Sequence, residues 1–313
     1  MTDQFTAVLD ETELAQQAYA EQLGIESERI PFTAETLPDA RVAVRANQDL
    51  LQEVASHLIN RAGHVSIIDE RGAGKSHFRN LVYNALSDGP RSDVFYIARI
   101  REVESLTTRR VYTRLLDALA EYDDLDIPDE YPHATDDVRQ LVEDVAEQLE
   151  AQDKACVVQV DQLEDAARNA RTFRQLLAAL QSVGDLGDSR PVFVLFLFGT
   201  PLAAERIDEL RETLSSRLVA KNRSLERFGF AETDELIARW LAWARDEEYK
   251  EGYPSDPFAA SAIERVVERS DGTPRSIRRE CYHAFRAGAR QFADDAGVEI
   301  TAETLAEYMK NQS

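Results

Sequence analysis

Residues 69–77 of the chain read DERGAGKSH. Glycines at 72 and 74 let backbone N–H groups turn inward around an anion, and a helix starting there would aim its positive end at the same charge. Lys75 would neutralise the outer phosphates of a bound polyphosphate, and the Ser76 hydroxyl would ligate Mg²⁺. Arg71, Gly72, Ala73, Gly74 and His77 complete the expected contact set around the phosphates. The general pattern GxxxxGK[ST] wants a glycine where this chain has Asp69. The plainer alternative is a Gly-rich turn carrying a surface lysine, with His77 a packing or capping residue.

A second stretch, VVQVDQLED at 157–165, ends an apolar run on Asp161. A carboxylate there would hold Mg²⁺, usually through water, beside the Ser76 hydroxyl. The residue that follows is Gln162, whose neutral amide can orient a water molecule but is a poor general base. Glu164 is the nearest carboxylate that could take that role. The plain alternative for Asp161 is a helix N-cap after a core strand. Thr200, at the end of VFVLFLFGT (192–200), would sense a terminal phosphate, or simply turn the chain. Arg275 follows Gly272 and Pro274 in SDGTPRSIRRECYHAF (270–285), in the first turn of an expected helix. Its guanidinium fork suits phosphate oxygens. Arg217 lies in ETLSSRLVAKN (212–222), just after Arg211, where an arginine can act on a neighbouring subunit's nucleotide or stay an ordinary surface charge.

These residues need a scaffold, and the hydrophobic pattern supplies one. HVSIID, DVFYIARI, CVVQVD and VFVLFLFGT are short apolar runs rich in β-branched and aromatic residues. They alternate with segments of helical spacing. One is 44–61, with Leu50, Leu51, Val54, Leu58 and Ile59 on one side. Another follows Ser76, with Phe78, Leu81, Val82 and Leu86 on one face. Strands alternating with helices imply a parallel sheet covered on both faces. After about residue 203 no strong strand is expected, and 231–245, 257–270, 274–291 and 301–311 all read as helices. The expected organisation is an acidic N-terminal extension (1–35), an α/β nucleotide-binding domain (36–225) and a helical lid domain (226–313).

Bulk properties narrow the field further. The chain has 313 residues, 43% of them hydrophobic, and carries a formal net charge of -22. It contains only five lysines, and arginine supplies the rest of the positive charge. Acidity spread along the chain with little lysine suits a salt-loaded cytoplasm, where concentrated ions screen self-repulsion. The rival is an acidic face for a protein partner. No run of about 18 apolar residues occurs, so no membrane span is expected. The N-terminus, MTDQFTAVLDETELAQQ, lacks a signal-peptide pattern, so a cytoplasmic location is expected. Cys156 and Cys281 have no ligand spacing and read as buried thiols. The five histidines likewise show no metal spacing. Two basic clusters, Arg99 with Arg101, Arg109, Arg110 and Arg114, and Arg275 with Arg278 and Arg279, could line a DNA path or balance nearby acids.

The ordered motifs over roughly 42–300 resemble the AAA+ P-loop ATPases of the branch that includes origin-recognition initiators, transposition helpers and ExeA-type secretion ATPases. SSRL, LERFGFAETDELIARWL and SDGTPRSIRRECYHAF carry particular likeness. The resemblance implies ATP as the nucleotide, Lys75 and Ser76 as Walker A, Asp161 as Walker B, Thr200 as sensor 1, Arg217 as an arginine finger and Arg275 as sensor 2. Asp69 and Gln162 depart from the family pattern. About 20 residues follow the lid helix of 274–291, too few for the winged-helix DNA-binding domain of origin-recognition ATPases, so autonomous origin recognition is not expected. Three functional readings follow. One is an ATP-dependent switch in replication, mobile-element or defence systems, with self-assembly or a protein partner and slow hydrolysis. The second is a nucleotide-bound scaffold with little turnover, which Gln162 favours. The third is a DNA-translocating motor.

Overall fold

The computed structural model describes residues 2–26, 28–34, 40–44, 46–87, 89–187 and 190–310. The chain divides into two compact units, one built from Asn47–Leu225 and the other from the described parts of Met1–Ala46 and Glu226–Ser313.

The first unit is an α/β sandwich around five strands: β1 (His64–Ile68), β2 (Phe95–Ile100), β3 (Ala155–Val160), β4 (Phe193–Gly199) and β5 (Leu218–Arg223). They lie in the order β2-β3-β4-β1-β5 and every pairing is parallel. The apolar runs become strands because both faces of the sheet are covered. Alternate residues sort accordingly. Ala98, Ile100, Val158, Val160, Leu195 and Leu197 pack with the helices Thr108–Leu119, Thr135–Ala151 and Ala170–Gly184. Ile97, Val157, Phe196, Val65 and Ile67 pack with Gln48–Asn60 and Lys75–Ser87.

Three expectations are corrected here. A fifth strand follows residue 203: β5, LVAKNR, pairs on one side only with β1, and just Leu218 and Ala220 of it are buried. An edge strand needs one apolar face, so it leaves no apolar run to read. The other two concern helix faces. Ile59 is 63% exposed and Leu81 39% exposed. The buried stripes are Leu50, Val54, Leu58 and Phe78, Val82, Leu86, a four-residue spacing that leaves Ile59 and Leu81 off the covered face.

The second unit is helical, with Thr2–Gln22, Phe230–Ala244, Ala260–Arg269, Pro274–Ala293 and Ala302–Lys310. Trp240, Phe285, Phe32 and Tyr19 are among its largest fully buried side chains. The segment expected as an acidic extension thus supplies core: Tyr19, Ala20, Ile25 and Phe32 are buried, and the Tyr19 hydroxyl donates to the Val298 carbonyl at 2.6 Å. The same helix leaves Val8, Leu9 and Leu14 exposed. The expected border between 35 and 36 falls outside the described residues.

Candidate nucleotide-binding site

The chain leaves β1 at Ile68 and turns through residues 69–74 into the helix Lys75–Ser87. Gly72 and Gly74 have φ of 91° and 103°, a region L side chains rarely adopt. The two glycines therefore set the turn that brings the helix N-terminus back over the end of β1. The Lys75 ammonium donates to the Asp69 carbonyl (2.5 Å) and the Glu70 carbonyl (2.8 Å), which ties its stem across the loop. Ser76 is exposed and His77 half-buried, with burial lowering the imidazole pKa.

Asp69, the departure from the general pattern, is 5% exposed and anchors the loop. Its carboxylate accepts the backbone N–H of Glu70 at 2.7 Å and of Leu225 at 2.9 Å. Its own N–H donates to the Gly199 carbonyl at 3.1 Å. The residue after Gly199 is Thr200, so the β4 end carrying it lies against the start of the loop. Thr200 sits before the helix Pro201–Leu210, and its side chain makes no capping bond.

Asp161 closes β3, separated from β1 in the sheet only by β4. Its carboxylate accepts the Gln162 N–H (3.0 Å) and forms an ion pair with Arg79, one turn along the helix from Ser76. The pair places the β3 carboxylate against the opening turns of the Lys75–Ser87 helix. Gln159 strengthens the join, donating to the Arg79 carbonyl (3.0 Å) and accepting from the Arg99 guanidinium (3.1 Å). Arg99 also lies over the Tyr83 ring at 3.5 Å. Burial pulls the Arg99 pKa down to about 10, and repulsion from Arg79 and Arg101 adds to it. Arg79 is lowered in the same way, by burial and then by Arg101.

Gln162 adopts a left-handed backbone (φ 56°) as the chain enters the helix Leu163–Ala167. Glu164 is 7% exposed, and its Oε2 finds no hydrogen-bond partner among the described residues. Its Oε1 lies 3.8 Å from Arg71 of the loop, which also donates to Asp165 at 3.3 Å. A buried carboxylate oxygen with spare acceptor capacity, beside the phosphate-loop arginine, is what a water-positioning group requires.

The fold therefore gathers Arg71, Gly72, Ala73, Gly74, Lys75, Ser76, His77, Asp161, Gln162, Glu164 and Thr200 at the carboxyl ends of β1, β3 and β4. That is where α/β sheets bind ligands. It does not bring Arg217 there. Arg217 precedes β5, its carbonyl accepts from His64 at the start of β1, and its guanidinium pairs with Asp185. It stands at the amino-terminal end of the strands, opposite the carboxyl ends that carry the loop. Arg275 belongs to the helical unit, exposed in the first turn of Pro274–Ala293. Thr273 caps that helix, and hydrogen bonds from the Ser276 hydroxyl first, then from the Thr273 hydroxyl and N–H, hold the Asp271 pKa down to about 2.

No cluster of three or more His, Cys, Asp or Glu side chains arranged for a metal occurs among the described residues. The donors present fit Mg²⁺ all the same, because that ion takes one or two protein oxygens and completes its shell with phosphate oxygens and water. Ser76 and Asp161 would hold it. Arg79 and Gln159 were not expected from sequence, and Arg99 was expected only in a basic cluster that could line a DNA path or balance nearby acids. The one available signal was a charged residue three positions after Ser76, and its partner lies 82 residues further on.

No family model matches the chain. An uncharacterized HTH-type transcriptional regulator of Methanocaldococcus jannaschii is 22% identical over 277 residues, covering 80% of this chain and 64% of the relative, so the chain spans less than two thirds of that protein's length. Among solved structures, the ADP form of the ORC2 protein of Aeropyrum pernix superimposes with a TM-score of 0.58 at 12% identity, over 89% of this chain and 71% of that one. Cdc6p of Pyrobaculum aerophilum gives 0.52 at 12% identity, over 90% and 70%. The chain resembles these proteins in architecture, and what it shares with them is the fold, a parallel α/β sheet unit together with a helical unit.

Proposed function

We propose that this chain binds ATP with Mg²⁺ at the loop 69–77 and uses it as a nucleotide-dependent switch in a DNA-related process. The observation that carries this reading is the phosphate loop itself. Two glycines in the left-handed region feed directly into a helix N-terminus, and the Asp161 carboxylate is held against the same helix. Lys75 and Ser76 would hold the outer phosphates and the ion, and Thr200 would lie at the γ-phosphate. Glu164, with its unpartnered buried oxygen, would position the attacking water where Gln162 cannot act as a base. Arg275 would answer to the nucleotide from the helical unit as a lid. Arg217, set at the amino-terminal end of the strands, would reach the nucleotide of an adjoining copy. The DNA-related role is supported by the description of the Methanocaldococcus relative as a transcriptional regulator and by the origin-recognition fold. The ADP and ADPNP bound by the Aeropyrum protein support the choice of adenine nucleotide. Acidity with few lysines supports work in a salt-rich cytoplasm.

Equilibrium binding of a fluorescent ATP analogue in molar KCl tests the reading. Saturable binding that Lys75→Ala abolishes is the expected result, and no binding by the wild type refutes it. A second reading, a nucleotide-bound scaffold, is favoured by Gln162 standing where a catalytic glutamate is usual. Turnover measured for wild type, Gln162→Glu and Glu164→Ala separates the two. Wild-type hydrolysis lost in Glu164→Ala excludes the scaffold.

A further inference from the structure

Arg79 adds a charge to the candidate site that the phosphate-loop pattern does not call for. Its side chain is 13% exposed and that of Asp161 is 15% exposed, so the pair is largely withdrawn from water. Arg79 Nη2 also donates to Asn80 Oδ1 at 3.2 Å, while its Nε is buried and finds no partner among the described residues. Arg99 and Arg101 lie close enough to repel it, and Asp161 is the one carboxylate paired with it among the described residues. A guanidinium thus occupies one oxygen of the carboxylate that would hold a divalent ion, and removing either partner would leave a buried charge uncompensated.

We propose that Arg79 is a built-in counter-ion of the nucleotide site, holding Asp161 until a divalent cation displaces it. The proposal rests on the nucleotide-binding reading above. With Arg79 paired to Asp161, that carboxylate is already neutralised, and Lys75 and the helix N-terminus meet the polyphosphate without an added ion. A divalent cation must then compete with Arg79 for Asp161. The consequence is weak dependence of nucleotide affinity on Mg²⁺, which the usual phosphate-loop pattern does not predict.

Affinity for a fluorescent ATP analogue, measured in Mg²⁺ and in EDTA, reads this directly and needs no turnover. In the wild type, removing Mg²⁺ should weaken binding less than about threefold. In Arg79→Gln the same change should weaken it roughly tenfold or more, and Arg79→Lys should stay close to the wild type. Free Mn²⁺, followed by its paramagnetic resonance signal, should bind the Arg79→Gln nucleotide complex about tenfold more tightly than the wild-type complex. A wild type that already loses tenfold on adding EDTA overturns the proposal, and this arm stands even if Arg79→Gln does not fold. Equal Mg²⁺ dependence in wild type and Arg79→Gln overturns it too, and assigns the pair a purely structural role. Absence of binding by the wild type in both conditions sinks the nucleotide-binding reading and this proposal with it. Binding without the expected ratio sinks this proposal alone.

Discussion

Replacing Asp69 by glycine restores the usual phosphate-loop pattern, yet it should weaken the protein. The Asp69 carboxylate is 5% exposed and accepts two backbone N–H groups, from Glu70 at 2.7 Å and from Leu225 at 2.9 Å. A hydrogen bond to a charged group contributes about 1.5–3 kcal/mol, and a buried donor left without a partner costs about 1–3 kcal/mol. The Leu225 N–H lies in a buried contact, so its loss should be felt nearly in full, whereas Glu70 is exposed and water can replace part of its bond. Glycine also frees the unfolded chain, at a cost of about 0.4–1 kcal/mol. Together these give roughly 3 kcal/mol for Asp69→Gly, and somewhat less for Asp69→Ala. Asp69→Asn, which keeps a neutral acceptor, should fall between the wild type and alanine. For a unit of this size the shift in thermal midpoint should be about 6–12 °C. Circular dichroism melts and urea titrations in concentrated KCl would measure it, with the urea m-value unchanged. A glycine variant as stable as the wild type, or more so, would refute the assignment of Asp69 as the anchor between the loop and the segment after β5.

Other perturbations have definite outcomes. His64 is buried and accepts the Leu195 N–H at 3.3 Å, and burial, with Arg217 nearby, pulls its pKa from the ordinary 6.5 down to about 4. The unfolded state therefore binds the proton first. The contribution is intact above pH 6.5 and is lost as pH falls from there towards 4, by roughly 3 kcal/mol in all. The stability gap between wild type and His64→Gln should narrow over that range, and a gap independent of pH would contradict the reading. Gly184→Ala would set a methyl 2.5 Å from His64 Nε2, so it should destabilise by about 1–3 kcal/mol, read from urea midpoints. Gly74→Ala should cut nucleotide affinity at least tenfold, since φ of 103° is strained for alanine, while the melt of the sheet unit changes by only about 1 kcal/mol. Undiminished affinity in that variant would remove the loop from the site.

Much of this architecture was legible from local chemistry. Four of the five strands are apolar runs because the sheet is buried on both faces, and burial on both faces needs no alternation. The glycine turn into the helix Lys75–Ser87 was legible for a related reason: Gly72, Gly74, Lys75 and Ser76 lie within five residues, and the turn is set by backbone freedom at the glycines. β5 was not legible, because a strand with one neighbour buries only Leu218 and Ala220 and otherwise reads as polar chain. Nor was the core role of Tyr19 and Phe32, which sit in an acidic stretch and pack against Phe285 and Trp240, more than 200 positions later.

What the sequence by itself determined was the glycine turn at 72–74, the helix that follows it and the apolar strands on either side, since these follow from neighbours within a few residues. The tertiary structure alone decided how those groups are paired. Asp69 binds an N–H 156 residues away, Arg79 meets Asp161 across 82 residues, and Glu164 is left with a buried oxygen beside Arg71. Such pairings depend on which strands lie side by side and on which charges lose their water together. A parallel sheet joins segments that are distant in the chain, so no local pattern encodes them.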